Sequence, residues 1–598
     1  MDKNFYYDRI SKGEEEFLVL KNLCNNLSIL RLIISISMVL FTIILYKMDK
    51  KIYIASEILG MVILFIIIAY FHSQKLEEKK RKELYIEVNK QSLQRIEGEW
   101  KYFNDCGEDL KSSEHPFVND LDVFGKNSLF QWINATITSF GREVLRELLS
   151  LKELPNKNEI LKRQEALKEL GCKVDFRQQL QIEGRLKDNT FGNTSTFIQW
   201  SMERNENILK NYMTMMLIVC PAALLSITLL YFITGKIPSS IPLGITLLNF
   251  LILKLGTKER NEALNMVYEL KNKIFTYFRL LEIIEKEEFK CKKLVQLKDK
   301  LKSLDQSNFS RELKELNSIA AAIMDRKNMV YIVINVALLW DYHLLVRLER
   351  WRRKNSANIN RWFKTLGEIE ALCSLANISG DHYEWTYPEI TDDLILQGDE
   401  IGHPLLGGKA VRNSFNLDKE KRIMLVTGSN MSGKSTFLRT VGINLLLSYM
   451  GAPTFSKSFK CPVVNIYTSM RTGDNLEENI SSFYAEILRV KMLVEAVERG
   501  ERVFFLLDEI FKGTNSADRH TGAEILIRQI SEKSAIGFVS THDLELCDLE
   551  GKNKSVINYN FREYYKDNKI KFDYKLRRGR STTRNAVYLM KLAGIKIK

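Results

Sequence analysis

Cysteine is scarce and scattered, eight residues in 598, with no Cys-x-x-Cys pair among them. That spacing excludes a zinc cluster and a disulfide framework as organising devices, and it reads as cytoplasmic thiols. Proline is almost as thin at nine residues, which together with abundant Lys and Glu suits a helical protein. Internal repeats and low-complexity segments are missing, and the densest charge run is Lys75–Glu83. Acidic residues are outnumbered, 74 Asp and Glu against 88 Lys and Arg, for a formal charge of +14 and a pI near 9.1. Two kinds of partner answer such an excess. Nucleic-acid phosphates would bind with strong salt dependence, and anionic lipid head groups attract Lys and Arg beside a membrane. Arg347, Arg350, Arg352, Arg353 and Lys354 form one basic run, with Trp351 inside it; Arg577, Arg578, Arg580 and Arg584 form another. A basic run is usually a solvated face, so charge alone does not choose. The length allows several domains, and a hydrophobic content of 45% supplies large cores.

What is present is a phosphate-loop motif. Gly428, Ser429, Asn430, Met431, Ser432, Gly433, Lys434, Ser435 and Thr436 satisfy G-x-x-x-x-G-K-[ST], between an apolar strand-like stretch and a helix-like pattern. In that context backbone N–H groups face phosphate oxygens, Lys434 reaches the β/γ-phosphates of ATP, and the Ser435 hydroxyl sits on Mg²⁺. Downstream, the apolar run Val503–Leu507 reads as a strand buried on both faces and ends in Asp508-Glu509. Asp508 would hold Mg²⁺, usually through water, and Glu509 would polarise the attacking water; phosphoryl transfer needs little more than such positioning and charge. His542 follows a second short strand, where it would sense the γ-phosphate or polarise water. The polar loop Gly513–Asp518 is placed to meet a second subunit.

Four uncharged or nearly uncharged runs predict membrane spans, since a bilayer core needs about 20 apolar residues per helix. They are Leu32–Tyr46 with Ser28–Leu30 before it, Ile52–Phe71 with the single charge Glu57, Asn211–Gly235, and Ile237–Leu253. The first is no signal peptide: it starts too far in, lacks a small-residue cleavage site, and a second span follows at once. The spans pair as two hairpins with outer turns at Lys47–Lys51 and Gly235–Pro238. Both chain ends then share one side, which ATP makes the cytoplasm of a multi-pass cell-membrane protein. Lys75, Lys79, Lys80, Arg81 and Lys82, and later Lys254, Lys258 and Arg260, agree with that orientation; Lys47, Lys50 and Lys51 argue mildly against it. Glu57 reads as an interfacial carboxylate that snorkels, or as an intramembrane functional group. Met329–Leu339 is too short and too quickly followed by Asp341 to span, and reads as a buried core helix. Residues 257–328 predict long packed helices, with Leu264, Val267, Leu270, Ile274, Phe278 and Leu281 facing inward.

The phosphate loop with Asn430-Met431, the stretch from Asp508 to Ser516, and Ser540-Thr541-His542-Asp543-Leu544-Glu545 together resemble the MutS family. The segment from Arg471 to Glu486 is similar to the MutS signature segment. The resemblance implies that Ser481 reaches the γ-phosphate bound in an opposing subunit, so that the ATP site is composite and the protein a homodimer. It also implies that His403, in Gly402–Leu406, flanks the nucleotide base. Upstream, Leu121–Gly125, Ser128–Asn134, Thr138–Leu145 and Arg163–Leu167 are similar to the start of the MutS helical core. DNA, mismatched or branched, is the output the family implies, with membrane lipid as a further partner.

The departures bear on that output. No Phe-x-Glu mismatch wedge precedes the first span, and Phe561-Arg562-Glu563 has the spacing only by coincidence. Gly579–Ala586 lacks the usual Ser-Tyr-Gly. Residues 211–254 fall where MutS helices would lead away to a DNA clamp. A transporter of the ATP-binding-cassette type is disfavoured because its Leu-Ser-Gly-Gly signature is absent. A membrane machine without DNA stays open, and the intact Asp508-Glu509 pair argues against a scaffold that binds ATP without turnover. The predicted fold is an α/β P-loop NTPase domain of ABC/MutS type at 396–598, preceded by an all-α core carrying two transmembrane hairpins. The expected divisions are a cytoplasmic segment 1–27, hairpin 28–72, helical core 73–210, hairpin 211–254 and lever 255–395.

Overall fold

A computed structural model describes the protein except for residues 113, 187–198, 200–201, 203–210, 255–256, 303–308, 325–328, 472–481, 567–568 and 582–598. The chain opens with two antiparallel helices, α1 (Lys3–Lys47) and α2 (Lys51–Glu97), packed along their length. Asp2 caps α1 by accepting from Phe5 N–H, and Gly98 ends α2 in the left-handed region at φ +86°. At 45 and 47 residues each helix is about 70 Å long, more than twice the thickness of a bilayer core. Only the outer halves are apolar and exposed. The inner halves pack on the helical core: Arg9 reaches Asp175 (2.6 Å) and Gln178 (3.0 Å), and the Tyr6 hydroxyl donates to Asp381 (2.5 Å). In the outer half the Thr42 hydroxyl donates to Glu57 across the hairpin at 3.0 Å.

Two further apolar helices are α6 (Asn211–Thr234) and α7 (Ser240–Lys254), with α3 (Ser139–Leu149), α4 (Lys157–Cys172) and α5 (Val174–Arg185) between them and α2. Among the described residues, α1, α2 and α6 are long and apolar enough to cross a membrane. The fourth expected span is shorter than its sequence: Pro238 precedes the helix, and α7 has 15 residues, about 22 Å. The chain continues through α8 (Thr257–Lys286), α9 (Lys292–Asp299) and α10 (Phe309–Met324), where Leu264, Val267, Phe278 and Leu281 are buried as their spacing predicts. The expectation of a core helix at Met329–Leu339 is overturned. Here α11 (Met329–Leu338) packs on α6 and α7 with Ile332, Val333 and Ile334 exposed, because it turns by 77° at Leu339 away from the helix that enters the core.

That helix is α12 (Trp340–Asp381), 42 residues running to the edge of the C-terminal domain. Its packing against α3 is close enough to require glycine on both sides. A Cβ at Gly141 would lie 2.5 Å from Glu370, and one at Gly367 would lie 2.8 Å from the Phe140 carbonyl. Glu370 is fully buried there and accepts from Ile137 and Thr138 N–H (3.0 and 3.2 Å). The basic run on α12 divides. Trp351 and Arg352 are buried, the indole N–H donating to Glu312 O (2.9 Å) and Arg352 pairing with Glu349 (2.9 Å). Trp351, though it sits inside the basic run, is a core residue.

The C-terminal domain holds two sheets. The smaller orders β1 (Glu389–Thr391), β5 (Ser458–Pro462), β2 (Leu396–Ile401) and β3 (Asn413–Leu417). The larger orders β10 (Lys569–Arg578), β9 (Val556–Lys566), β4 (Ile423–Thr427), β8 (Ala535–Thr541), β7 (Val503–Asp508) and β6 (Asn465–Ser469). All neighbours in the larger sheet are parallel except the β9–β10 hairpin. Helices α13 (Lys434–Tyr449), α14 (Ser482–Glu498) and α15 (Ser516–Ser531) flank it. This double covering is why β4, β7 and β8 are continuous apolar runs.

A phosphate-loop cleft and its connection to the helical core

Because β4, β8 and β7 lie side by side and parallel, their C-terminal ends deliver the loop, His542 and Asp508-Glu509 to one edge of the sheet. The loop from Gly428 to Gly433 turns directly into α13. Gly428 (φ +152°) and Gly433 (φ +103°) adopt angles that side chains disfavour, and a Cβ at Gly428 would sit 2.8 Å from Ser432 Oγ. Between them Met431 holds φ +66° with its side chain 85% exposed.

Lys434 is buried, and its ammonium donates to the carbonyls of Gly428 (2.9 Å) and Ser429 (3.1 Å). His542 Nε2 stands 2.7 Å from Glu509 Oε1 and 2.7 Å from Asn430 Oδ1. Both are acceptors, so Nε2 carries a proton, and Lys434 Nζ at 3.2 Å is a neighbour rather than a donor. The His542 hydrogen bond, against burial and with the charges of His542 and Lys512, holds the Glu509 carboxyl down at about 2. Burial pulls Lys434 below its ordinary value, with Glu509 and Asp508 opposing. Glu509 has φ +55°, a strained value for a side-chain-bearing residue, and its N–H donates to Ser540 O at 3.0 Å. The Ser540 hydroxyl donates to Asp508.

The loop borders a cleft of about 390 Å³, also lined by His403, Leu406, Val411, Phe561 and Tyr574. Its size suits a nucleotide. Ser432 Oγ is buried without a partner, and the loop N–H groups at the start of α13 suit an anion. Ser435, in the first turn of α13, lines the cleft where a phosphate-bound Mg²⁺ would need a hydroxyl. The residues from Ser429 to Thr436, with His403 and Glu509, thus meet in one cleft; Gly428, Asp508 and His542 are not among its lining, though the Gly428 carbonyl accepts from Lys434 and His542 meets Asn430. Ser481 and Arg584 lie outside the described residues.

Two features escaped sequence reasoning. Phe561-Arg562-Glu563 is neither wedge nor bystander: Phe561 lines the cleft, and Glu563 accepts from the Ser429 hydroxyl at 2.8 Å. Tyr574, at φ +54° in a bulge of β10, covers Gly433. Hairpin register could not be read from the local pattern, so neither contact was foreseeable.

Residues 424–597 match the family model for MutS domain V. The match covers most of the C-terminal domain, from β4 onward. "DNA mismatch repair protein MutS" of Aquifex pyrophilus is 34% identical over 260 residues, 43% of this chain and 30% of that protein. The Persephonella marina protein of the same name is 31% identical over 261 residues, again 43% and 30%. The one from Staphylococcus aureus strain JH9 is 28% identical over 335 residues, 55% of this chain and 37% of that protein. The chain spans about a third of the length of these relatives.

The C-terminal domain is joined to the helical core through Asp120. This carboxylate is fully buried and accepts from Thr468 Oγ (2.7 Å), Met470 N–H (3.1 Å) and Arg471 N–H (2.9 Å), and it pairs with Arg489 (2.8 Å). Two residues on, Asp122 pairs with the Arg471 guanidinium (2.5 Å) and lies 3.6 Å from Arg439 of α13. Leu121 between them packs on Gly442 of the same helix. On α14, Glu486 accepts from Phe511 N–H just past Glu509.

His403 offers a pH test. Burial, with Arg439 adding repulsion, lowers it to about 4, so the folded protein keeps it neutral while the unfolded chain protonates near 6.5. Stability from this group is full above about pH 6.5 and is lost as pH falls toward 4. His403→Asn should flatten the decline of melting temperature between those pH values; an unchanged slope would refute a buried neutral imidazole.

Proposed function

We propose that the protein is a membrane-anchored, Mg²⁺-dependent ATPase of MutS type that works as a homodimer with composite ATP sites. The observation that supports this best is the meeting of Lys434, Asn430, Glu509 and His542 at the mouth of one phosphate loop. Lys434 and the loop N–H groups would hold the phosphates, with Ser435 and Asp508 around Mg²⁺. Glu509, oriented by His542, would polarise the attacking water, and Ser481 of a second copy would complete the site. Mg²⁺ supplies charge neutralisation between phosphates when bound. The α1–α2 hairpin, α6 and α7 would anchor the chain in the cell membrane with the ATPase domain in the cytoplasm.

ATP-driven rearrangement would pass through Asp120 into the helical core. The relatives are named for DNA mismatch repair, and DNA binding coupled to that rearrangement is the first reading of the output. The second reading is a membrane machine that binds no DNA. It is favoured by the burial of Trp351 and Arg352, which removes the only aromatic from the basic run on α12. ATPase rate in vesicles, across duplex, mismatched and junction DNA and across anionic lipids, tests both, with Lys434→Ala as the blank. Lys434→Ala should abolish turnover, and a wild-type-like rate would remove the site assignment. A rate that responds to lipid but to no DNA would discard the DNA reading.

A further inference from the structure

The helix α11 has ten residues, Met-Val-Tyr-Ile-Val-Ile-Asn-Val-Ala-Leu, and no charge. Its sequence neighbours are charged at both ends, Asp325-Arg326-Lys327 before it and Asp341 after it. One side packs on α6 and α7, where Leu217, Ile252, Leu253 and Leu339 form a small apolar cluster with Val336 against it. The other side presents Ile332, Val333 and Ile334, with Val333 69% exposed. The helices it packs against, α6 and α7, also carry exposed apolar residues, among them Ile218, Leu247 and Leu251.

The junction with α12 pairs several polar groups within the protein, as a chain break in an apolar medium demands, although Asn249 Oδ1 is buried without a hydrogen-bond partner. Leu339 takes φ +52° to make the 77° turn. Asn249, fully buried in α7, donates to Val336 O at 3.1 Å, and Asn335 Oδ1 accepts from Asp341 N–H at 2.9 Å. The Asp341 carboxylate takes the Tyr331 hydroxyl (2.6 Å) and lies 3.4 Å from Arg260, which also donates to Leu253 O (2.7 Å). Beyond this knot, Arg347, Arg350 and Arg353 of α12 are exposed, suited to anionic head groups.

We propose that α11 is seated in lipid beside α6 and α7, with Ile332, Val333 and Ile334 against acyl chains, so that α12 begins at the membrane. This rests on the membrane reading above and adds a contact which that reading does not contain. At about 15 Å the helix cannot cross a bilayer core. It enters from one face, and its turn converts a lipid-held helix into the 42-residue rod that reaches the ATPase domain.

The test is the collision profile of a nitroxide carried on an unnatural residue at position 333, in the full chain in phosphatidylcholine–phosphatidylglycerol vesicles. Position 229 on α6 and position 161 on the exposed surface of α4 are the references. Lipid seating predicts frequent oxygen collisions and few nickel-chelate collisions at 333, as at 229 and opposite to 161. Nickel access at 333 with lipid-like behaviour at 229 would overturn the proposal and leave the membrane reading standing. Shielding of 333 from both reagents would overturn it too, because protein would cover the face. Nickel access at 229 as well would remove both.

Discussion

Glu509→Gln is expected to hold ATP and fail to turn it over. Glutamine keeps the acceptor that His542 Nε2–H uses at 2.7 Å, so the geometry of the pair survives. It removes the anion that would draw a proton from water, a contribution of about 10²- to 10⁴-fold for a positioned base. The loss is sharpened by the local charge pattern. A carboxyl held down at about 2 is ionised at every working pH, and its negative charge lies 3.9 Å from Lys434. The measurement is single-turnover conversion of bound radiolabelled ATP, read beside the amount retained on the protein. Turnover near the wild-type rate would sink the assignment of Glu509; loss of binding would mean that Glu509 serves the loop rather than the water.

Asp120→Ala is the second change with a large expected effect. It strips the acceptor from two backbone N–H groups and a threonine hydroxyl in a site closed to water, and it leaves Arg489 without its partner. Breaking one side of a buried pair costs about 3–5 kcal/mol. For a domain of this size that corresponds to a melting temperature lower by on the order of 10 °C. Asp120→Asn keeps one acceptor oxygen and should fall between. An unchanged melting temperature in Asp120→Ala would show that other contacts hold the helical core and the C-terminal domain together.

The gathering of the cleft's residues was legible because it depends on short-range order. A glycine loop after an apolar strand, and two more strands ending in Asp508-Glu509 and His542, are local patterns, and parallel pairing brings their ends together without further information. Asp120, Glu563 and Tyr574 were hidden for the opposite reason. Each acts on a partner far away in sequence, and nothing around Asp120 distinguishes a buried carboxylate from a turn residue. The apolar runs were read correctly as apolar but not as to shape. Hydropathy fixes neither where a helix starts after Pro238 nor that Leu339 turns the chain. Likewise, Trp351 and Arg352 share their run with exposed arginines, and only packing decides which side of α12 faces inward.

The bond from the Tyr6 hydroxyl to Asp381 joins residues 375 positions apart. At ribosomal rates of roughly 5–20 residues per second, Asp381 is made about 20–75 s after Tyr6. For that interval the Tyr6 hydroxyl lacks its acceptor, although the apolar halves of the same helices are complete and α5, which receives Arg9, is made well before Asp381. Biogenesis thus has a set order: the first hairpin forms early, its stalk docks on α5 next, and the Tyr6 contact closes only when translation has reached the end of α12. A premature stop before that point would release a hairpin whose Tyr6 has no acceptor, and a stop before Asp175 would leave Arg9 without its partners as well.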